Sequence, residues 1–147
     1  MGAYDLTKPI LFRLPPERVH ELAVRSLRAT QGTFLEALLT DRYAVADDRL
    51  AVDVFGQSFP NPVGLAAGLD KNAEIPRAMA ALGFGHLEVG GVTATPQTGN
   101  DRPRVFRLPP DGALINRMGL NNDGAEAVGQ RLAGTDVPVP VGVNVAK

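Results

Sequence analysis

Residues 5–40 place apolar side chains at helical spacing. "DLTKPILFRL" is a short apolar piece that Pro15 stops. "PERVHELAVRSLRAT" begins with Pro16, whose fixed φ suits a first helical turn. Val19, Leu22, Ala23 and Leu27 form its apolar stripe, and Gly32 ends it. "TFLEALLTDRY" predicts another short helix. Small helices with an apolar face and little else predict a cap, not a core. This sets residues 1–44 apart from residues 45–147.

The period then changes. "LAVDVFGQSF" alternates around Gly56 and predicts a small hairpin. "PVGLAAG" predicts a short strand, and "AEIPRAMAALGFG" a helix with Pro76 in its first turn and Gly83 at its end. "HLEVGG" predicts a second strand. The stretch from Val92 to Asn122 is rich in Pro, Gly and Asn and carries short extended pieces. "DGAEAVGQRLAG" predicts a helix capped by Asp123, and "VPVPVGVNVAK" a third strand. Strands alternating with helices predict an α/β fold with a parallel sheet buried on both faces. An eight-stranded barrel takes about 250 residues, so this chain predicts its first part, with about three strands. Val139, Val141, Val143 and Val145 would then form an open edge.

Composition narrows the chemistry. The absence of Cys excludes disulfides and thiolate metal sites, and two His without a cluster argue against a metal centre. A net charge of −1 and no basic run interleaved with aromatics argue against a nucleic-acid partner. No segment reaches the roughly 20 apolar residues of a membrane span, and no signal-peptide core is visible. These features predict a cytoplasmic-side protein. Residues 1–30 carry Lys8, Arg13, Arg18, Arg25 and Arg28 against Asp5, Glu17 and Glu21, a basic excess that a solvated helix face also explains.

Ligands in parallel α/β folds sit at the C-terminal ends of the strands. That rule selects Ala66, Ala67, Gly68 and Lys71, then Gly90, Gly91 and Thr93, then Asn144. A lysine at a strand end among glycines suits an anion, although a surface Asp70–Lys71 pair is an alternative. "LINRMGLNNDG" sets Asn116, Arg117, Asn121 and Asn122 around Met118, Gly119 and Leu120. Asn amides both donate and accept, which suits a planar imide-like ligand. Asx turns explain Asn122 and Asp123 well and Asn116 less well. Glu88 inside an apolar strand needs a partner if buried. Arg102, Arg104 and Arg107 surround Phe106, as a solvated edge or, for Arg107, as the lining of an apolar pocket. His20 reads as a helix-surface or satisfied core histidine.

Several long stretches resemble one family. "FGQSFPNPVGLAAGLDKNAE", "ALGFGHLEVGGVTATPQTGNDRPRVFRLPPDGALINRMGLNNDG" and "VPVGVNVAK" are similar to class 2, membrane-associated, quinone-dependent dihydroorotate dehydrogenases. "RLPPERVHELAVRSLR" resembles the helical extension that precedes their TIM (β/α)8 barrel, which the soluble class lacks. The resemblance implies FMN-dependent oxidation of dihydroorotate to orotate, with quinone as acceptor, in pyrimidine synthesis. It implies FMN contacts at Ala66, Ala67, Gly68, Lys71, Gly91 and Asn144. It implies substrate contacts at Lys71, at Asn116, Arg117, Met118, Gly119 and Leu120, and at Asn144. His20 and Arg107 match residues at the quinone entrance, and the N-terminal helices match a peripheral attachment to the cytoplasmic face of the cell membrane. The family usually has Ser or Thr at Gly91 and Phe at Leu120. Its catalytic base and FMN-phosphate site match positions beyond Lys147. The resemblance therefore implies that the 147-residue chain alone is inactive. The alternative is a non-catalytic module that keeps only the membrane- or partner-contacting cap.

Overall fold

The computed structural model describes residues 3–147. Three helices come first: α1 (Ala3–Leu11), α2 (Pro16–Thr30) and α3 (Phe34–Tyr43). The first ends at Leu11, before the expected stop at Pro15, and holds Pro9 within it. Pro16 opens α2 as expected, but the helix closes at Thr30, ahead of Gly32. Thr33 caps α3, its hydroxyl accepting from the Leu35 N–H at 3.2 Å.

The inward face of α2 differs from the expected stripe. Leu22 is 49% exposed, and Val24 packs on the core together with Leu27. Glu17, His20, Val24 and Leu27 sit three or four residues apart, so a polar half and an apolar half share one face. The polar half is invisible to a search for apolar periodicity alone.

A hairpin of β1 (Val52–Val54) and β2 (Gln57–Phe59) follows. Phe55 and Gly56 at its tip both have positive φ, 55° and 72°, the signature of a type I′ turn. The parallel sheet contains β3 (Gly64–Leu65), β4 (His86–Val92) and β7 (Val141–Val145), in the order β3-β4-β7. Crossovers pass through α4 (Pro76–Ala81) and α5 (Gly124–Ala133). Between β4 and α5, an antiparallel hairpin of β5 (Val105–Leu108) and β6 (Ala113–Asn116) projects toward α1 and α2. The sequence showed its extended pieces but not their pairing, because Pro109–Asp111 close it with a short 3-10 turn instead of a two-residue signal.

One side of the sheet is dry. Ile75, Ala78, Met79 and Leu87 form one buried cluster, and Ala73, Val89, Val92 and Val128 form another. Ile75 is fully buried, and each such aliphatic side chain contributes about 1.5–3 kcal/mol. The other side presents Gly64, Ala66, His86, Glu88 and Gly142, which with Phe59 line an open hollow of about 560 Å³. The expectation of burial on both faces thus holds for one face only. Val143 and Val145 on β7 are 45% and 80% exposed.

Asp123 does not cap α5 as expected. Its carboxylate pairs with Arg131 at 2.6 Å. Asp123 stays at the N-cap position without a side-chain cap bond, and the buried Asn122 before it supplies an Asx turn, its Oδ1 accepting from the Gly124 N–H at 2.9 Å.

Candidate functional site

The ends of the three parallel strands meet the β5–β6 hairpin and the loop after it. Gly68 N–H donates to Gly90 O at 2.8 Å, and Gly90 N–H donates to Asp70 O at 3.1 Å. These bonds lace the chain after β3 to the end of β4. Gly68 has φ 108°, and a Cβ built there would meet nothing within 4 Å. Open space therefore stands at this strand end.

Lys71 stands over that space. Its ammonium donates to the Gly68 carbonyl, and the side chain is half-buried. Burial pushes its pKa down, and the nearby Arg104 guanidinium adds to the effect. The alternative of an Asp70–Lys71 pair is excluded. Asp70 is buried, and its carboxylate accepts from the N–H groups of Glu74 and Ile75 at 2.8 and 2.9 Å. It closes the turn into α4, so among the described residues no carboxylate pairs directly with the ammonium, and Glu17 acts on it only at a distance.

A cleft of about 520 Å³ opens in front of Lys71, bordered by Gly68, Gly91, Asn116, Gly119 and Leu120. Arg117 and Met118 border it too. Gly119 has φ 75°, and a Cβ there would lie 2.8 Å from the Asn100 side chain, so glycine is required. Asn116 forms an Asx turn after all, its Oδ1 accepting from the Met118 N–H at 2.9 Å. That leaves its NH2 group for a ligand. The Arg117 guanidinium turns away to Pro103 O at 3.0 Å and lies 5.8 Å from the Phe106 ring centre. Arg117 therefore offers the cleft backbone and stem, not its charge.

A second cavity, of about 360 Å³, lies between α2 and the hairpin. His20, Arg107 and Leu114 line it, and Gly68, Lys71 and Asn116 border both spaces. His20 and Arg107, far apart in sequence, thus face one chamber whose floor is Lys71. Burial lowers the His20 pKa, and the Lys71 charge lowers it further. Arg107 donates to Leu14 O at 2.8 Å and lies 4.6 Å from the centre of the Phe12 ring. It ties the segment between α1 and α2 to the hairpin.

Some expected residues fall elsewhere. Ala66 lines the hollow on the open sheet face instead of the Lys71 cleft. Thr93 is buried and bonded to Thr95 O and Asn122, so it faces the protein. Ala67 donates its N–H to Glu88 at 3.3 Å, and Asn144 donates to the same carboxylate at 3.1 Å. A Cβ at Gly91 would lie 3.2 Å from Ala146 Cβ and 3.6 Å from Leu120 Cδ2. The two positions that depart from the usual family pattern are therefore neighbours in space.

The residues missed in sequence are Glu17, Arg104 and Asn100. Arg104 is 5% exposed, contrary to the solvated-edge reading, and pairs with Glu17 of α2 at 2.7 Å. Asn100 Nδ2 donates to Arg117 O at 2.7 Å and fixes the cleft loop. An arginine in a Pro-rich loop gives no periodic sign of burial, and neither does an asparagine there.

The family model for dihydroorotate dehydrogenase matches residues 49–147. The chain belongs to the dihydroorotate dehydrogenase family. Its curated relatives include a protein named dihydroorotate dehydrogenase (quinone) from Natronomonas pharaonis. That relative is 65% identical over all of this chain and 42% of its own length. A protein of the same name from Mycobacterium marinum is 54% identical over 98% of this chain and 40% of its own. The chain spans about two-fifths of the length of these relatives. A crystal structure of the Eimeria tenella dihydroorotate dehydrogenase with ferulenol matches at a TM-score of 0.74 and 37% identity. It covers 90% of this chain and 36% of that one. The sequence likeness reaches beyond residues 49–147, since the Natronomonas pharaonis relative aligns over all of this chain, the N-terminal helices included.

Proposed function

We propose that the protein carrying this chain oxidises dihydroorotate to orotate in pyrimidine synthesis and passes the electrons to quinone. The observation that carries this reading is the double role of Lys71 and Asn116. Both border the 520 Å³ cleft and the 360 Å³ cavity, so one wall serves two ligands. In this reading the sheet is the opening portion of an eight-stranded barrel, with residues 1–44 as the helical extension.

The residues fit FMN. Open space at Gly68, a glycine at 91 and the Lys71 cation suit a flat ring with an electron-rich edge. Gly68, Lys71, Gly91 and Asn144 would hold that ring, with Ala66 and Ala67 contributing backbone at the end of β3. When bound, FMN supplies a two-electron acceptor for the substrate. The chain's own work is placement. Lys71 meets the orotate carboxylate, and the Asn116 amide and the Arg117–Leu120 backbone hold the ring. His20 and Arg107 receive the quinone head in the apolar cavity. Electrons thus leave by a route separate from substrate binding.

Attachment to the cytoplasmic membrane face belongs to the same proposal. Tyr4, Leu6 and Ile10 of α1 are each more than half exposed, beside Lys8. Among the described residues no helix is long and apolar enough to cross a membrane. A peripheral, interfacial helix accounts for both facts.

The test is dihydroorotate-dependent quinone reduction by the full-length protein, with the flavin absorbance recorded. Turnover with bound flavin supports the reading; a flavin-free protein without turnover overturns it. The 147-residue chain by itself is expected to show no turnover.

A further inference from the structure

Glu88 is the one acid of β4, and its carboxylate bridges both neighbouring strands. Oε2 accepts from the Ala67 N–H after β3, and Oε1 accepts from Asn144 Nδ2 on β7. The register explains the reach. Gly90 lies opposite Asn144 and Glu88 opposite Gly142, so no side chain at 142 stands between Glu88 and the amide. These bonds hold the Glu88 carboxyl below the usual carboxylate range, the one from Asn144 foremost.

An ionised carboxylate only accepts hydrogen bonds. It therefore selects one of the two orientations of the Asn144 amide, with NH2 toward itself. Asn144 Oδ1 then points away, beside Gly91, 3.3 Å from where a Cβ would stand there. Gly91 borders the Lys71 cleft, and Oδ1 has no partner among the described residues.

We propose that Glu88 is a positioning residue that locks Asn144 with its carbonyl oxygen toward the cleft, where it accepts the ring N–H of a cyclic imide. The inference rests on the function proposed above. Two ligands in that reading carry such an N–H, the flavin pyrimidine ring and the orotate ring. Glu88 touches neither. It acts by excluding the flipped amide, which would meet the ligand N–H with another donor.

The test compares each ligand with its N-methylated counterpart by titration. The full-length apoprotein takes FMN and 3-methyl-FMN. The flavin-loaded protein takes orotate and its ring-N-methylated forms. In the wild type, methylation of the nitrogen that Asn144 meets costs about tenfold in Kd. Glu88→Gln keeps an acceptor for Ala67 but can donate to Asn144, so it allows the flip. The parent ligand then weakens by about fivefold to tenfold while the methylated form barely changes. A merely structural role would weaken both forms alike. Asn144→Ala should erase the discrimination, and Glu88→Gln should then add nothing.

The arm that shows the effect, flavin or orotate, identifies the ligand. Unchanged discrimination in Glu88→Gln in both arms overturns the proposal. Unchanged discrimination in Asn144→Ala overturns it too, whatever Glu88→Gln does to folding. If the wild type binds neither FMN nor orotate, the proposed function itself falls, and this inference with it.

Discussion

Glu17 of α2 and Arg104, just before β5, form a buried ion pair at 2.7 Å that fastens the helical segment to the cleft loop. The same guanidinium donates to the carbonyls of Thr98 and Asn100 at 2.7 and 3.0 Å. One side chain therefore ties α2 to the loop that holds the Asn116–Leu120 turn.

Glu17→Gln should cost about 2 kcal/mol, because a buried guanidinium loses its charged partner while keeping its carbonyl bonds. Denaturant unfolding checks this. The hydrogen bonds from Arg104 hold the Glu17 carboxyl below its usual range. Its stabilisation is therefore full above the ordinary carboxylate pKa and is lost as pH falls through the depressed value. Acid unfolding of Glu17→Gln should show a shallower dependence in that window.

His20 acts in the same direction for a different reason. Burial and Lys71 lower its pKa, while Glu21, Asp70 and Glu17 oppose them. The unfolded chain then binds the proton more readily, so stability should rise with pH up to about 6.5 and level off above. His20→Gln should flatten that rise in thermal melts at a series of pH values. The upper end of this window, set by the unfolded histidine, lies above the ordinary carboxylate range, so the rise nearest pH 6.5 belongs to His20.

His20→Ala and Arg107→Ala should each slow quinone turnover about tenfold or more while leaving flavin reduction by dihydroorotate near the wild-type rate. Stopped-flow separation of the two half-reactions reads this directly. Deleting residues 1–44 is the poorer experiment. It would strip Val24 and Leu27 from the Ile75–Met79 cluster and leave Arg104 and Arg77 without Glu17 and Glu36. Equal loss of both half-reactions in the point variants would place His20 and Arg107 outside the quinone path.

The exposed apolar residues of α1 carry the membrane reading. Replacing Leu6 and Ile10 with Ser should lower partition into liposomes by roughly 2–4 kcal/mol in total, since both side chains lie out in solvent. Thermal stability should hold, because neither belongs to a core cluster. Unchanged cosedimentation with vesicles would remove α1 as the anchor.

Much of this architecture was legible in the chain. The Gly56 hairpin, the helices opened by Pro16 and Pro76, and the three parallel strands follow from period, proline and glycine. The strand-end rule then selected Lys71, Gly68 and Gly91, which the fold brings to one cleft. What stayed hidden is non-local. Glu17 and Arg104 lie 87 residues apart, and neither sits on an apolar repeat. Val24, not Leu22, faces the core on α2, on the same side of the helix as Glu17 and His20. The Asp123 carboxylate pairs with Arg131, two turns on, instead of capping, and Asn122 before it accepts the first helical N–H. Glu88 signalled only that it needed a partner; that it has two, on opposite strands, depends on sheet order.

Lys71 tests the central claim most directly. In the full-length, flavin-loaded protein, orotate is titrated into wild type and Lys71→Ala, and the flavin absorbance and melting temperature are recorded. Loss of an ammonium–carboxylate contact predicts orotate binding weakened by at least tenfold and slower flavin reduction by dihydroorotate. The melting temperature should change little, because among the described residues the Lys71 head bonds only the Gly68 carbonyl. Unchanged orotate affinity and flavin reduction would contradict the account and make Lys71 a bystander at the strand end.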